Sequence, residues 1–157
     1  MVMTQHLTSS YAAGPTDVPL IEDTISANLA QTVAKYPQNI ALIDAATEQQ
    51  WTYEQFHRDV RKLATGLHRA GVVTGDRVGI WAMNRWEWAM VQYATAELGA
   101  ILVNVNPAYR QHELNFVLKQ AGITTLISSE EVPTANYPRM IARAQEESSG
   151  QIGRAHV

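Results

Sequence analysis

Apolar side chains recur at helical spacing in four segments of the chain, and each segment predicts a helix. The first segment has Asp23 or Thr24 as a possible N-cap and stops at Pro37. The second begins after Thr52, another possible cap, and ends at Gly71, which can take the left-handed conformation of a helix C-cap. The apolar faces of these two helices comprise Ile25, Leu29 and Val33, and then Phe56, Val60, Leu63 and Leu67.

The third and fourth predicted helices each end at a glycine. The segment from Arg85 to Leu98 is apolar on nearly every side, so we expect a largely buried helix that Gly99 closes. The fourth helix ends before Gly122. Its apolar positions are Leu114, Val117, Leu118 and Ala121.

Apolar runs between the helices predict strands. The runs IALIDA and QQWTY lie on either side of a polar turn near Thr47 and predict a hairpin. The runs VTGDRVGIWAMN, AILVNVN and ITTLIS alternate with the third and fourth helices. This alternation, with near-continuous apolar strands, is typical of a parallel sheet covered by helices. The predicted fold class is therefore α/β.

Two polar turns follow predicted strands, at the positions where open α/β sheets gather ligands. One carries Asn84 and Arg85, and the other runs from Asn104 to Arg110. Neither has a GxGxxG or GxxxxGK[ST] motif, whose glycines let backbone amides surround a phosphate. We interpret Asn106-Pro107 as the turn that leaves a strand and begins a helix. Direct contact with a ligand is the alternative.

Charged pairs near these turns are interpreted as local structure. Arg85 and Glu87, at positions i and i+2, cannot face each other on a helix, which predicts that they form no ion pair. Glu113, three residues after Arg110, can favour the N-terminal dipole of the fourth helix.

Histidine, tryptophan and methionine side chains are predicted to be surface or core residues. The histidines on polar helix faces lack metal-ligand spacing and are expected to be solvated, namely His57, His68 and His112. The cluster expected to pack in the core comprises Trp81, Met83, Trp86, Trp88 and Met90. No Ser/His/Asp set, carboxylate pair or metal cluster can be assembled. We therefore assign no catalytic and no metal-ligating residue, and the cofactor-binding residues are unknown.

Composition and charge narrow the class of protein. The chain has 157 residues, of which 46% are hydrophobic and 17% charged, as in an ordinary globular domain. Its net charge of -3 and lack of a basic run argue against nucleic-acid or anionic-membrane partners. Without cysteine it has no disulfide or thiolate site, and from its pattern we expect no signal peptide and no transmembrane segment. We expect a cytoplasmic protein.

A series of short motifs in a fixed order resembles the adenylate-forming acyl-CoA synthetases, the AMP-binding ligases. The resemblance spans roughly Ile21 to Ser129, as the first part of the large N-terminal domain of these ligases. Its motifs are Thr52-Tyr53 at a helix start, GDRV, then Asn84, Glu87 and Trp88, the pair GA at Gly99, and VNVNPAYRQHEL. The run NPAYRQHEL is most similar to the branch that activates medium- or long-chain fatty acids.

The resemblance implies an ATP-dependent ligase that forms an acyl-adenylate with Mg²⁺ and transfers the acyl group to coenzyme A. The family's phosphate loop, adenine motif, ribose-binding Asp and C-terminal lysine have no counterpart in this sequence. Its three lysines, Lys35, Lys62 and Lys119, lie in other contexts. We therefore expect this chain to be an inactive fragment that binds none of these compounds tightly. The resemblance leaves the acyl chain length and the oligomeric state open.

The final residues, QIGRAHV, have no cap, strand signal or apolar period. The DNA string AGATCGGAAGAGCACACGTC, which resembles a sequencing-library adapter, reads in one frame as Ile-Gly-Arg-Ala-His-Val, and a preceding C makes the previous codon Gln. We therefore expect an extended N-terminal arm at 1–20, a partial AMP-binding-enzyme domain at 21–150 and a non-native tail at 151–157. A genuine polar tail is the alternative.

Two other functions remain as alternatives to a fragment of a fatty-acid CoA ligase. One is a different adenylate-forming enzyme, such as an aryl-acid ligase or a peptide-synthetase adenylation domain. The other is a self-contained, non-catalytic α/β binding module, for which about 150 residues is a common size. A phosphate loop further along the reading frame would support either enzyme, whereas a true stop codon near Gly150 would support the binding module.

Overall fold

The computed structural model describes residues 13–15, 17–129, 136–147 and 153–156. In the predicted N-terminal arm, residues 13–15 and 17–20 lie outside any helix or strand, and the rest of the arm lies outside the described residues. The elements in chain order are α1 (Ile25–Lys35), β1 (Ile40–Ile43), β2 (Gln50–Thr52), α2 (Tyr53–Arg69), β3 (Arg77–Trp81), α3 (Glu87–Leu98), β4 (Ile101–Asn104), α4 (Gln111–Ala121), β5 (Thr125–Ser128), α5 (Tyr137–Glu147) and β6 (Gly153–His156).

The strands form two sheets, and their topology confirms the predicted α/β class. β1 and β2 make the predicted antiparallel hairpin, with a bulge between Ile40 and Leu42. The larger sheet is parallel and has the order β4-β3-β5-β6. β3 lies inside it, since Val78 is in register with Leu102 on one side and with Thr125 on the other.

The predicted caps begin the first two helices. Thr24 Oγ1 accepts a hydrogen bond from the Ala27 amide at 3.1 Å. Thr52 Oγ1 accepts from the Gln55 amide at 3.2 Å, and Gln55 Oε1 accepts from the Thr52 amide at 2.9 Å, which is a complete capping box. Gly71 follows α2 with φ of 99°, the left-handed region that the sequence predicts for it.

Two hydrophobic cores lie on opposite faces of the parallel sheet. The first joins α1, α2, α3 and the hairpin to one face, with Phe56, Val60, Leu67, Met90 and Val91 among its buried residues. The second joins α4 and α5 to the other face, with Trp81, Leu114, Leu118, Tyr137 and Ile141 among its buried residues. Helices therefore cover the sheet on both sides, as near-continuous apolar strands require.

The structure departs from the sequence prediction in three elements. Helix α5 is absent from the prediction, although its buried residues Tyr137, Ile141 and Ala144 have helical spacing. Gly153–His156 form a strand, although the sequence of this tail has no strand signal. β4 is an edge strand within the described residues, which leaves Ile101 50% exposed although its run is apolar.

Candidate functional site

The carboxyl ends of β3, β4 and β5 meet at one edge of the sheet, where the chain leaves in two directions. After β3 it enters α3 on the face of the first core, whereas after β4 and β5 it enters α4 and α5 on the opposite face. The strand order also reverses at β3, because β4 and β5 flank it. In open α/β sheets, such a switch point is where ligands gather. This edge is therefore the candidate functional site.

An ion pair holds the turn after β3. Arg85 Nε donates to Glu87 Oε2 at 2.8 Å, and Arg85 Nη2 donates to Glu87 Oε1. The Glu87 side chain is only 8% exposed, whereas that of Arg85 is 40% exposed. The hydrogen bond to Glu87 raises the pKa of Arg85 above its ordinary value. The guanidinium therefore neutralises a buried carboxylate at the first residue of α3.

The prediction that Arg85 and Glu87 form no ion pair is wrong, because α3 begins at Glu87 rather than at Arg85. The rule for positions i and i+2 holds only where both residues are helical. Arg85 lies in the preceding turn, which lets its side chain fold back onto the helix start.

A small recess opens beside this ion pair. Its cavity volume is about 10 Å³, which is far below the range of roughly 300–1,000 Å³ usual for ligand pockets. Ser129 lies on the wall of the recess and is buried. Its Oγ has no hydrogen-bond partner among the described residues. The recess is lined by Ile80, Ala82, Arg85, Glu87, Val91, Ile127, Ser128 and Ser129. It is therefore too small to enclose a nucleotide or a fatty acid.

Two aromatic side chains hold the turn after β4 through its backbone. Trp81 Nε1 donates to the Asn106 carbonyl at 3.0 Å, and Tyr137 Oη donates to the Pro107 carbonyl at 2.8 Å. The two rings stack with centroids 3.6 Å apart and planes 9° apart. Burial raises the pKa of Tyr137 above its ordinary value of 10.0, which keeps the phenol protonated and able to donate.

The Asn106-Pro107 turn is also closed by its own hydrogen bonds. Asn106 Oδ1 accepts from the Ala108 amide at 2.9 Å, and the Asn106 carbonyl accepts from the Tyr109 amide at 3.1 Å. These are the contacts of a turn that joins a strand to a helix, which agrees with our interpretation of Asn106-Pro107 from the sequence. α4 then begins with the Arg110 amide donating to Glu113 Oε2 at 3.1 Å, so Glu113 acts in local structure as predicted.

The tryptophans predicted as core residues do contact the cores, but Met83 does not. Trp81 is fully buried in the second core, and Trp86 packs on Trp51 with centroids 4.9 Å apart in the first. Trp88 is half-buried, and its Nε1 donates to the carbonyl of Met83 at 3.1 Å. Met83 itself is 56% exposed because it lies in the turn after β3, so the prediction is wrong for this residue.

The predicted surface histidines differ in exposure. His68 and His112 are exposed, whereas His57 is half-buried on α2. Within the described residues, no three His, Cys, Asp or Glu side chains are grouped so that they could hold a metal ion. No helix in the same part of the chain is long and apolar enough to cross a membrane.

The fold is that of the N-terminal domains of adenylate-forming ligases. Residues 29–154 match the family model described as AMP-binding enzyme, and the chain belongs to that family. It is similar to YngI of Bacillus subtilis (strain 168), provisionally named an acyl-CoA synthetase, with 41% identity over 137 residues. This alignment covers 85% of the chain and 25% of YngI.

A second relative and a solved structure agree with this assignment. The mitochondrial medium-chain acyl-CoA ligase ACSF2 of Danio rerio is 37% identical over 135 residues, which cover 86% of the chain and 22% of ACSF2. The Mycobacterium tuberculosis fatty acyl CoA synthetase superposes with a TM-score of 0.75 at 26% identity, covering 85% of the chain and 26% of that structure. The chain thus spans about a quarter of the length of the proteins it matches.

Proposed function

We propose that this chain is part of an ATP-dependent fatty-acid CoA ligase. The observation that carries the proposal is the 41% identity to a relative named as an acyl-CoA synthetase, across 85% of the chain. A solved structure from Rhodopseudomonas palustris, provisionally named a long-chain-fatty-acid CoA ligase, supports the substrate class, since it superposes with a TM-score of 0.74 at 26% identity. We also propose a cytoplasmic location for the complete enzyme.

The proposed reaction has two steps. A carboxylate oxygen of the fatty acid attacks the α-phosphorus of ATP, which forms an acyl-adenylate and releases pyrophosphate. The thiol of coenzyme A then attacks the acyl carbon, and AMP leaves as the thioester forms. Adenylation is needed because a free carboxylate lacks a good leaving group, and the charge that develops on the phosphates requires electrostatic stabilisation.

The residues of this chain do not fit the groups that this chemistry needs. The sequence has no glycine-rich phosphate loop, and the described residues contain no carboxylate or histidine cluster suited to Mg²⁺. We therefore propose that this segment supports the fold and is inactive by itself. Its contribution is to fix the sheet edge through the Arg85–Glu87 pair and the two aromatic hydrogen-bond donors.

The first experiment is to resequence the source DNA from the codon for Ser148 through several hundred bases beyond Val157. A frame that continues past Gly150 to a Ser/Thr/Gly-rich loop ending in Pro-Lys-Gly supports a ligase with a non-native tail. A frame that encodes QIGRAHV and then stops contradicts it and supports the binding module.

The complete product is then assayed by ATP–pyrophosphate exchange with a series of fatty acids and aryl acids. Exchange driven by fatty acids supports the proposal, whereas exchange with aryl acids alone favours a different adenylate-forming enzyme. Purified residues 1–157 serve as the second sample. Exchange above the blank from this sample contradicts the proposed inactivity of the segment.

A further inference from the structure

The methionines of the chain differ widely in exposure. Met83 is 56% exposed and belongs to neither hydrophobic core. Met90 is only 5% exposed and lies in the first core, whereas Met140 is half-buried against the second. Oxidation of a methionine by a small oxidant is faster where the side chain is accessible to solvent. Among the described residues, Met83 is therefore the methionine most open to oxidation.

The exposure of Met83 follows from its place between β3 and α3. Trp81 ends β3 and is fully buried, and Ala82 after it is 5% exposed. α3 does not begin until Glu87, and residues 83–85 are exposed. This turn lies at the carboxyl edge of the sheet, where open α/β folds gather ligands. The thioether of Met83 is therefore part of the surface of the candidate functional site.

The contacts that hold this turn do not use the Met83 thioether. The Met83 carbonyl accepts a hydrogen bond from Trp88 Nε1 at 3.1 Å, and Arg85 pairs with Glu87. Oxidation converts the apolar thioether to a polar sulfoxide and leaves the main-chain carbonyl unchanged. A polar group costs free energy where it is buried without a partner, as it would be at Met90, but not where water can hydrate it. We therefore expect the fold to tolerate a sulfoxide at Met83.

We propose that Met83 is a site of reversible oxidation by peroxides at the candidate functional site. A lone pair of the Met83 sulfur attacks one oxygen of hydrogen peroxide, the O–O bond breaks, and a sulfur–oxygen bond forms. The sulfur loses two electrons, and the peroxide is reduced to water. Two thiols supplied with a methionine sulfoxide reductase reverse the step, because the oxygen leaves as water while the thiols become a disulfide. The proposal does not depend on the proposed ligase activity.

The accessibility of Met83 is tested with hydrogen peroxide on the purified full chain, folded and in concentrated urea. Trypsin cleaves after Arg85 and so separates Met83 from Met90, and mass spectrometry follows each sulfoxide with time. We expect the rate at Met83 in the folded chain to lie within about threefold of its rate in urea, whereas Met90 is slowed by at least about tenfold. If folding slows Met83 as much as Met90, the proposal is overturned.

Tolerance of the sulfoxide is tested by urea denaturation of the chain, oxidised until Met83 has reacted and Met90 has not. We expect its unfolding constant to change by less than about twofold, as for a surface substitution. M83L keeps an apolar side chain without sulfur, and its treatment in parallel measures the effect of oxidation at other positions. A clearly larger rise in the unfolding constant of the parent than in that of M83L contradicts the proposal.

Reversal is tested by adding the two methionine sulfoxide reductases, one for each sulfoxide epimer, and dithiothreitol to the oxidised, folded chain. We expect the peptide that contains Met83 to regain its unoxidised mass. The same peptide, reduced after digestion, is the control for the activity of the reductases. Reduction of the digested peptide but not of the folded chain would show that the fold makes the oxidation of Met83 irreversible, and the proposal would fail.

Discussion

The turn after β3 and the turn after β4 lie at the same edge of the sheet, yet different groups hold them. The first is fixed by a side-chain ion pair, in which the exposed Arg85 neutralises the buried Glu87, and by the nearby Trp88, whose Nε1 donates to the Met83 carbonyl. The second is fixed by hydrogen bonds to its backbone, from Trp81 on β3 and from Tyr137 on α5. One turn is thus held by neighbours in sequence, and the other by residues distant in sequence.

This difference has a structural consequence. The Arg85–Glu87 pair can form as soon as α3 begins, because both partners belong to adjacent segments. The Asn106-Pro107 turn reaches its final form only when β3, β4 and α5 are packed together, since Trp81 and Tyr137 stack on one another. Substitutions at the first turn should therefore act locally, whereas substitutions at the second should weaken the packing of the second core.

The largest effect is expected from W81A. Trp81 is fully buried, stacks on Tyr137 and donates to the Asn106 carbonyl, so its removal leaves a cavity and takes away one of the two hydrogen bonds that this carbonyl accepts. We expect the free energy of unfolding to fall by about 3–5 kcal/mol, measured by urea denaturation. F116A, at an aromatic side chain that is 60% exposed, is the matched control and should change it by less than about 0.5 kcal/mol. Similar losses in both variants would contradict the role of Trp81 in holding the turn after β4.

The next effect concerns the Arg85–Glu87 pair. R85M leaves the buried Glu87 carboxylate without its partner, and we expect a loss of about 1–2 kcal/mol once solvent screening at the exposed Arg85 is allowed for. The double variant R85M/E87M should lose less than R85M, because no buried charge remains. Urea denaturation of the parent and of E87M completes the double-mutant cycle.

R143M supplies the matched control for this pair. Arg143 and Glu147 are paired at positions i and i+4 of α5, but both side chains are well exposed. Such a pair contributes about 0.3–0.5 kcal/mol. If R85M lowers the free energy of unfolding no more than R143M does, burial of the Glu87 carboxylate does not make the Arg85–Glu87 pair stronger than an exposed pair.

Much of this arrangement is predictable from local sequence. The caps at Thr24 and Thr52 and the apolar repeats of α1 and α2 specify those helices, and the structure has them as predicted. The Arg85–Glu87 pair was missed because it depends on whether α3 begins at residue 85 or 87, and helix boundaries are uncertain by one or two residues.

The contacts of Trp81 and Tyr137 with the turn after β4 could not be predicted in the same way. Trp81 and Tyr137 meet only through the order of strands in the sheet, which no local pattern encodes. The spacing of Tyr137, Ile141 and Ala144 was a usable signal for α5, but it would not have identified Pro107 as the hydrogen-bond acceptor.

A smaller loss is expected from Y137F, which keeps the ring and removes only the hydroxyl that donates to Pro107. We expect the free energy of unfolding to fall by about 1 kcal/mol. Y36F, at an exposed tyrosine, is the control and should change it by less than about 0.5 kcal/mol. Equal values for the parent and Y137F at pH 8 would exclude a stabilising role for this hydrogen bond.

The same variant predicts a difference in pH dependence. Burial raises the pKa of Tyr137 in the folded chain above 10.0, so the folded state holds this proton more tightly than the unfolded state. The resulting stability is fully present below about pH 10 and is lost as the pH rises through the folded pKa. The parent should therefore lose stability above pH 10 more steeply than Y137F. Parallel slopes would contradict the assignment of this titration to Tyr137.

The smallest effect is expected within the second turn itself, from N106A. Asn106 Oδ1 accepts from the Ala108 amide, but the side chain is exposed, so water can replace this bond. We expect a loss of about 0.5 kcal/mol, at the low end for a hydrogen bond. N106D keeps an acceptor oxygen and should retain the parent stability. If N106A lowers the free energy of unfolding as much as W81A does, the hydrogen bonds within the turn, rather than Trp81 and Tyr137, stabilise this edge of the sheet.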